Sequence, residues 1–134
     1  MLEQWNRWEP IEGIPEKMTM ESLCFDKNGT LIVLESEDGG TKVQILFEDS
    51  VLSLRNTDEG RRLKTINFLE KMYGTDYYTS WTLFKVTNST FVEWFNEETY
   101  NIYADYNIEH YVFLTSDEVV EVLSTYSPSV KVYK

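Results

Sequence analysis

The tetrapeptide Asp26-Lys27-Asn28-Gly29 constrains this chain more than any other short stretch. Asn-Gly supplies the positive φ that a tight hairpin turn needs, and it lies between two runs, Thr19 to Phe25 and Thr30 to Ser36, that read as strands. An antiparallel pair is therefore expected early in the chain. Leu31-Ile32-Val33-Leu34 is apolar on both faces, which places this strand in the middle of its sheet with both sides covered. Glu37-Asp38-Gly39-Gly40 turns the chain into Lys42 to Phe47, where Val43, Ile45 and Phe47 alternate with their neighbours, and a short strand from Val51 to Arg55 follows. Cys24 falls late in the first strand with no basic neighbour, so a packed thiol is expected rather than a reactive one.

The pattern then changes period. Leu63, Ile66, Leu69 and Tyr73 recur at helical spacing, giving a helix from about Asp58 to Tyr73, capped by Asn56 and ended by Gly74. Arg55 is expected to pair with Asp58 and Glu59 at the corner between strand and helix. Arg61, Arg62 and Lys64 form the one local basic cluster and sit at a helix start, where cations oppose the dipole. A polar loop, Thr75 to Ser80, leads to a strand from Trp81 to Thr87. Asn88 or Ser89 then caps a helix from Thr90 to Glu98 that packs through Phe91, Trp94 and Phe95. Ile108 to Leu114 alternates cleanly, with His110 on the face of Ile108, Val112 and Leu114. Thr115 and Glu118 have capping-box spacing and predict a helix to about Thr125, and Val130 to Tyr133 makes a last strand.

Together these elements read as α+β: an antiparallel sheet of about six or seven strands with about three helices packed on one face. No linker or repeat divides the 134 residues, so a single domain is expected, with residues 1–17 as an irregular N-terminal arm. Pro10 and Pro15 block regular structure in that arm. Its Trp5 and Trp8 are expected to fold back over a sheet edge or the core rim, the alternative being that they anchor an interface.

Charge narrows the function. The chain carries 23 acidic and 12 basic residues, net −11, which disfavours nucleic acid and anionic membrane surfaces as partners. No run approaches the roughly 20 apolar residues that span a bilayer. One cysteine excludes an internal disulfide, and the N-terminus has no apolar core of signal-peptide length, so the expected location is the cytoplasm. Val86 to Val130 contains Glu93, Glu97, Glu98, Asp105, Glu109, Asp117, Glu118 and Glu121 and no Lys or Arg. It also holds Tyr100, Tyr103, Tyr106 and Tyr111. A cation-free, tyrosine-rich stretch is the composition of a surface that meets a basic protein, with Glu93, Glu97, Tyr100, Tyr103, Asp105, Tyr106 and Glu109 as the partner-binding candidates.

Sequence signatures of catalysis are missing. His110 is the single histidine; triads assemble in space, but no Gly-x-Ser-x-Gly elbow is present, and a structural, hydrogen-bonded imidazole is the expectation. One His and one Cys fall short of a zinc pattern, Gly39-Gly40 lacks the rest of a phosphate loop, and the Asp26 turn lacks the downstream ligand of a calcium loop. The expectation is a binding protein with no catalytic residues, no metal and no cofactor.

Three segments, FEDSVLSLRNTDEGRRLKTINFLEKMYG, LFKVTNSTFVEWFNEET and IEHYVFLTSDEVVEVLSTYSPSV, together resemble the YxiG-like small proteins of Bacillus and other Firmicutes. The resemblance rests on Arg55, Asp58, Glu59, Asn88-Ser89, Ile108, His110-Tyr111 and Pro128, and covers roughly residues 43 to 132. It implies an immunity protein encoded beside a polymorphic toxin, with a cognate protein toxin as partner and no catalytic residues. The alternatives are a generic scaffold domain or homodimer, and then a small-molecule binder or enzyme built around His110.

Overall fold

In the computed structural model, residues 2–134 are described, and they form two antiparallel sheets with three helices. The expected hairpin is present. β2 (Met18–Asp26) and β3 (Gly29–Ser36) are joined by Lys27-Asn28, and it is Gly29, at φ +123, that takes the positive φ. β4 (Lys42–Phe47) and β9 (Ser129–Tyr133) complete a sheet of order β2-β3-β4-β9. The second sheet has order β1-β6-β7-β8-β5, from β1 (Gln4–Arg7), β5 (Ser53–Asp58), β6 (Leu83–Thr87), β7 (Glu109–Leu114) and β8 (Glu118–Ser124). The α+β class with helices gathered on a sheet holds; the strands number nine rather than six or seven and divide between two sheets.

The two sheets face each other across a shared core. Ile32, Leu34, Val43, Ile45 and Phe47 meet Leu83, Tyr111, Phe113, Val120 and Val122, all fully buried. Period-2 alternation accounts for this: along β4 every second residue points inward, while Gln44 and Leu46 are half-covered. β3 was expected to be covered on both sides. Only its inner side chains are buried, and Leu31 and Val33, on the other face, are half-exposed.

The other face of the five-stranded sheet carries the helices. α1 (Leu63–Tyr73) and α2 (Thr75–Thr79) bring Leu69 and Tyr78 onto Trp5, Phe84, Val112, Leu114 and Val119. α3 (Thr90–Glu98) brings Phe91 and Phe95 onto Leu123. Lys17 fastens the two layers, donating to the carbonyls of Tyr78, Trp81 and Leu114 at 2.9, 3.1 and 2.6 Å. Burial lowers its pKa to about 8 against the opposing pull of Glu59 and Glu37.

Several sequence expectations are corrected. Residues 4–7 form an edge strand on β6 rather than an irregular arm, while Trp5, 2 % exposed and edge-on to Phe84, and Trp8, half-buried against Tyr111 and Phe113, fold back over the core as expected. Arg7 then caps α2, donating to the carbonyls of Asp76 and Tyr77, where a cation completes the C-terminal turn. Thr75 to Ser80 is largely this helix rather than a loop. The first long helix starts five residues later than expected, because β5 continues to Asp58, whose carboxylate caps a 3-10 turn, Glu59–Arg61. Cys24 is exposed on β2, its Sγ 3.5 Å from Asp26 Oδ2, which raises the thiol pKa.

The largest correction is β8. The segment expected to be a helix from Thr115 is a strand between β7 and β5. Thr115 Oγ1 does accept from the Glu118 N–H, at 3.0 Å, as a capping residue would. Yet Thr115 N–H also donates to the Glu118 carbonyl, closing a hairpin over Ser116-Asp117. Val119, Val120 and Val122 favour the pleated conformation, and both faces of this strand are buried, so no alternation marks it.

Candidate functional site

Two regions concentrate chemistry: a buried polar line across the five-stranded sheet, and an exposed surface on α3 and the loop that follows it.

The buried line begins with strand register. Across the sheet, Val112 pairs with Glu121 and Glu121 with Arg55, while His110 pairs with Leu123 one row away. His110, Glu121 and Arg55 thereby share the helix-covered face. Glu121, with a side chain 1 % exposed, accepts from Arg55 through Nε and Nη2 at 2.9 and 2.8 Å, and also from Arg62 Nη1. His110 Nε2 donates to the same carboxylate at 2.8 Å. At the far side of the ring, Ser89 Oγ is hydrogen-bonded to His110 Nδ1 at 2.7 Å, and Ser89 Oγ accepts the Val92 N–H at 3.1 Å as the N-cap of α3. Phe91 lies edge-on to the imidazole, 5.4 Å away, and the Arg55 guanidinium lies 4.2 Å over the Phe91 ring.

Burial alone would push the Glu121 carboxyl pKa up. The hydrogen bonds from His110, Arg55 and Arg62 outweigh it and hold the group at about 2. Ser89, His110 and Glu121 are the residue types of a nucleophilic triad, but their wiring differs. The hydroxyl meets Nδ1, the carboxylate meets Nε2, and both carboxylate oxygens are occupied by guanidiniums. As arranged, the line fixes the N-terminus of α3 to the middle of the sheet. The imidazole is hydrogen-bonded, as expected: the ring is 2 % exposed and both nitrogens are engaged. A cleft of about 390 Å³ has His110 in its lining, together with Ser89, Val92, Glu93, Asn107 and Glu109.

Sequence reasoning missed the centre of this line. Arg55 was assigned to Asp58 and Glu59; Asp58 instead caps Gly60, and Arg55 reaches across to Glu121. One signal was available. Glu121 is a lone carboxylate inside Val119-Val120-Glu121-Val122-Leu123, and a charge inside an apolar run requires a buried cation.

The exposed region is the expected partner face. On α3, Phe91 and Phe95 turn inward, so Glu93, Trp94, Glu97 and Glu98 turn outward. In the loop beyond, Tyr100 is 90 % exposed, Ile102 70 % and Tyr106 58 %; Trp94 is 48 % exposed. Four of the ten exposed large apolar side chains among the described residues therefore fall between Trp94 and Tyr106. Asp105 is exposed beside them. Tyr100 stands at φ 51 and Asn101 at φ 61, a left-handed turn that closes α3 through Asn101 N–H on the Asn96 carbonyl.

Two candidates sit differently. Tyr103 is half-buried, its ring 5.3 Å from Phe95 and 5.4 Å from Tyr106, so it props the loop rather than presenting itself. Glu109 is half-buried and spoken for, accepting from Lys85 Nζ at 2.9 Å and from the Tyr111 hydroxyl at 3.0 Å. Burial opposes its ionisation, but these two bonds keep its pKa below the usual carboxylate value. The structure thus brings Glu93, Glu97, Tyr100, Asp105 and Tyr106 to one exposed segment, and adds Trp94, Glu98 and Ile102, which sequence reasoning left out. The sequence places Trp94 with Phe91 and Phe95 on the packing side of the helix; in the structure its ring lies 5.8 Å from Phe91 but is 48 % exposed.

Among the described residues, no helix is long and apolar enough to cross a membrane, and no group of three or more His, Cys, Asp or Glu side chains converges as metal ligands. In comparisons with known proteins, no family model, no curated protein and no solved structure matches this chain.

Proposed function

We propose that this chain is a protein-binding domain that neutralises a basic protein toxin through α3 and the loop after it, as an immunity protein does. The observation that carries the reading is the coincidence of Trp94, Tyr100, Ile102 and Tyr106, all exposed, with Glu93, Glu97, Glu98 and Asp105, and with no cation in the segment. Exposed aromatic side chains are costly to leave in water and are the residue types that dominate interface energetics. Carboxylates around them supply a field that accelerates encounter with a cationic partner. Tyr100 adds a further support: a bulky aromatic held at positive φ is a strained choice, and such strain gathers where a side chain must be presented. The Ser89–His110–Glu121 line serves this purpose by fastening α3 to the sheet, which lowers the ordering cost of binding.

The test is growth rescue. The C-terminal region encoded by the neighbouring upstream open reading frame is expressed in a host with and without this protein. Rescue is expected, with a complex that weakens as salt rises. Trp94→Ala with Tyr106→Ala, both exposed and so compatible with folding, is expected to cost at least about 2 kcal/mol of binding, roughly thirtyfold. Glu93→Lys with Glu97→Lys is expected to act mainly on the association rate. Rescue that survives both double substitutions unchanged would remove this surface from the function. The alternative, a scaffold or homodimer, has its own support in Phe25, exposed on edge strand β2. A dimer mass by light scattering that reverts to a monomer in Phe25→Ser would favour it.

A further inference from the structure

We propose that the cleft between the start of α1, the N-terminus of α3 and residues 2–5 binds a small organic oxyanion, a carboxylate or phosphate group carrying an apolar substituent. The cleft has a volume of about 290 Å³ and lies on the Arg-bound side of Glu121, apart from the surface assigned to the partner protein. Its polar walls are Arg55, Arg62 and Lys64, and its apolar walls are Leu2, Trp5 and Phe68.

Three observations converge on an anion. Charge is the first. Three cations line the cleft against two carboxylates, Glu121 and Glu3. Glu3 is spent on α3, where it accepts from the Thr90 N–H and hydroxyl at 2.8 and 2.9 Å. Glu121 divides one negative charge between two guanidiniums. Lys64 has no ion-pair partner among the described residues. A positive excess is therefore held in a molecule whose net charge is −11. Arginine is also suited to such a site, because a guanidinium already fixed by one carboxylate offers its remaining N–H groups in a set direction.

The second observation is Trp5. Trp5 is among the residues that line the cleft, it is 2 % exposed, and its Nε1–H has no acceptor among the described residues. A buried donor left unpaired is costly, and tryptophan is retained at such positions where its N–H is used. An oxyanion seated among Arg55, Arg62 and Lys64 would be the acceptor the indole lacks once the ring turns its covered N–H toward the cleft.

Shape is the third. Leu2, Trp5 and Phe68 add apolar side chains to the charged lining of the cleft, which selects an anion with an aromatic or aliphatic body over a bare ion. Two of its lining residues are held in place: Asn88 Nδ2 donates to the Leu2 carbonyl at 3.2 Å, and Trp5 N–H donates to the Tyr73 hydroxyl at 3.0 Å.

The test follows the four tryptophan indole N–H resonances of the intact protein in a two-dimensional ¹H–¹⁵N spectrum, the Trp5 signal being identified by its loss in Trp5→Phe. Benzoate and inorganic phosphate are titrated separately. Benzoate is expected to move the Trp5 signal and leave those of Trp8, Trp81 and Trp94 in place. In Lys64→Glu, an exposed position that tolerates the change, its apparent affinity is expected to fall roughly tenfold, as the loss of a charge-assisted contact predicts. A response to phosphate alone would overturn the apolar half of the proposal. No movement of the Trp5 signal with either anion, or a benzoate response unchanged in Lys64→Glu, would overturn the site.

Discussion

Replacing Glu121 with alanine is expected to be among the most damaging single changes this protein can suffer, at about 3 kcal/mol or more. The carboxylate is the common acceptor for Arg55, Arg62 and His110, and its removal leaves two guanidiniums facing each other across an apolar cavity. The lower end of the usual 3–5 kcal/mol range for breaking a buried pair applies here. Arg55, at 42 % side-chain exposure, can swing into water; Arg62, at 17 %, cannot do so as cheaply. Urea denaturation at neutral pH gives the value from the midpoint. A loss under about 1 kcal/mol would mean that the cations are solvated and that the line is not a structural strut.

The same carboxylate sets the response to acid. Its folded-state pKa of about 2 lies below the ordinary value of 4.5, so the folded state binds its proton more weakly than the unfolded chain does. Its contribution is therefore complete above about pH 4.5 and is lost as pH falls through about 2, below which both states are protonated. Stability measured at pH steps through this window is expected to fall steeply in the native protein. In Glu121→Gln the fall is expected to be shallower, because the group that titrates is gone.

Gly29→Ala is the second large effect, also about 3 kcal/mol. The position combines φ +123 with a close approach: an added Cβ would stand 2.1 Å from the Phe47 carbonyl oxygen and 3.0 Å from that of Glu48. Both atoms are backbone, and Phe47 is the partner of Thr30 in the β3–β4 ladder, so neither yields without opening the sheet. Gly13→Ala is the control. Gly13 has φ +86 but no atom within 4 Å of an added Cβ, so it carries the conformational cost alone, about 1 kcal/mol. Thermal unfolding of the pair separates the two contributions. Equal losses would show that the clash at Gly29 relaxes freely.

Part of the candidate site was legible before any coordinates. The helix Thr90–Glu98, its Ser89 cap and the His110 face of β7 follow from spacing, since each depends on residues close together in the chain. The acidic, aromatic segment was legible for the same reason. Trp94 and Ile102 were not, because whether an apolar side chain on a short helix or in a loop is covered depends on where the sheet ends.

β8 shows why the rest was hidden. Thr115 and Glu118 make the same hydrogen bond in a hairpin turn as in a helix cap, so the local signal was real and the inferred element was not. Placing Glu121 on a helix removed it from the neighbourhood of Arg55 and His110, and the polar line went unseen. By itself the sequence determined the hairpin, the alternating strands, the third helix with its cap, and the excess of negative charge on one segment. These depend on turn chemistry, period and composition, which act over a few residues. Only the tertiary structure decided that the strands divide into two sheets, that Glu121 lies between Arg55, Arg62 and His110, and that a cationic cleft survives in an acidic protein. Those outcomes rest on contacts between residues dozens of positions apart, where burial overrides local preference and a charge must find whatever partner the packing brings to it.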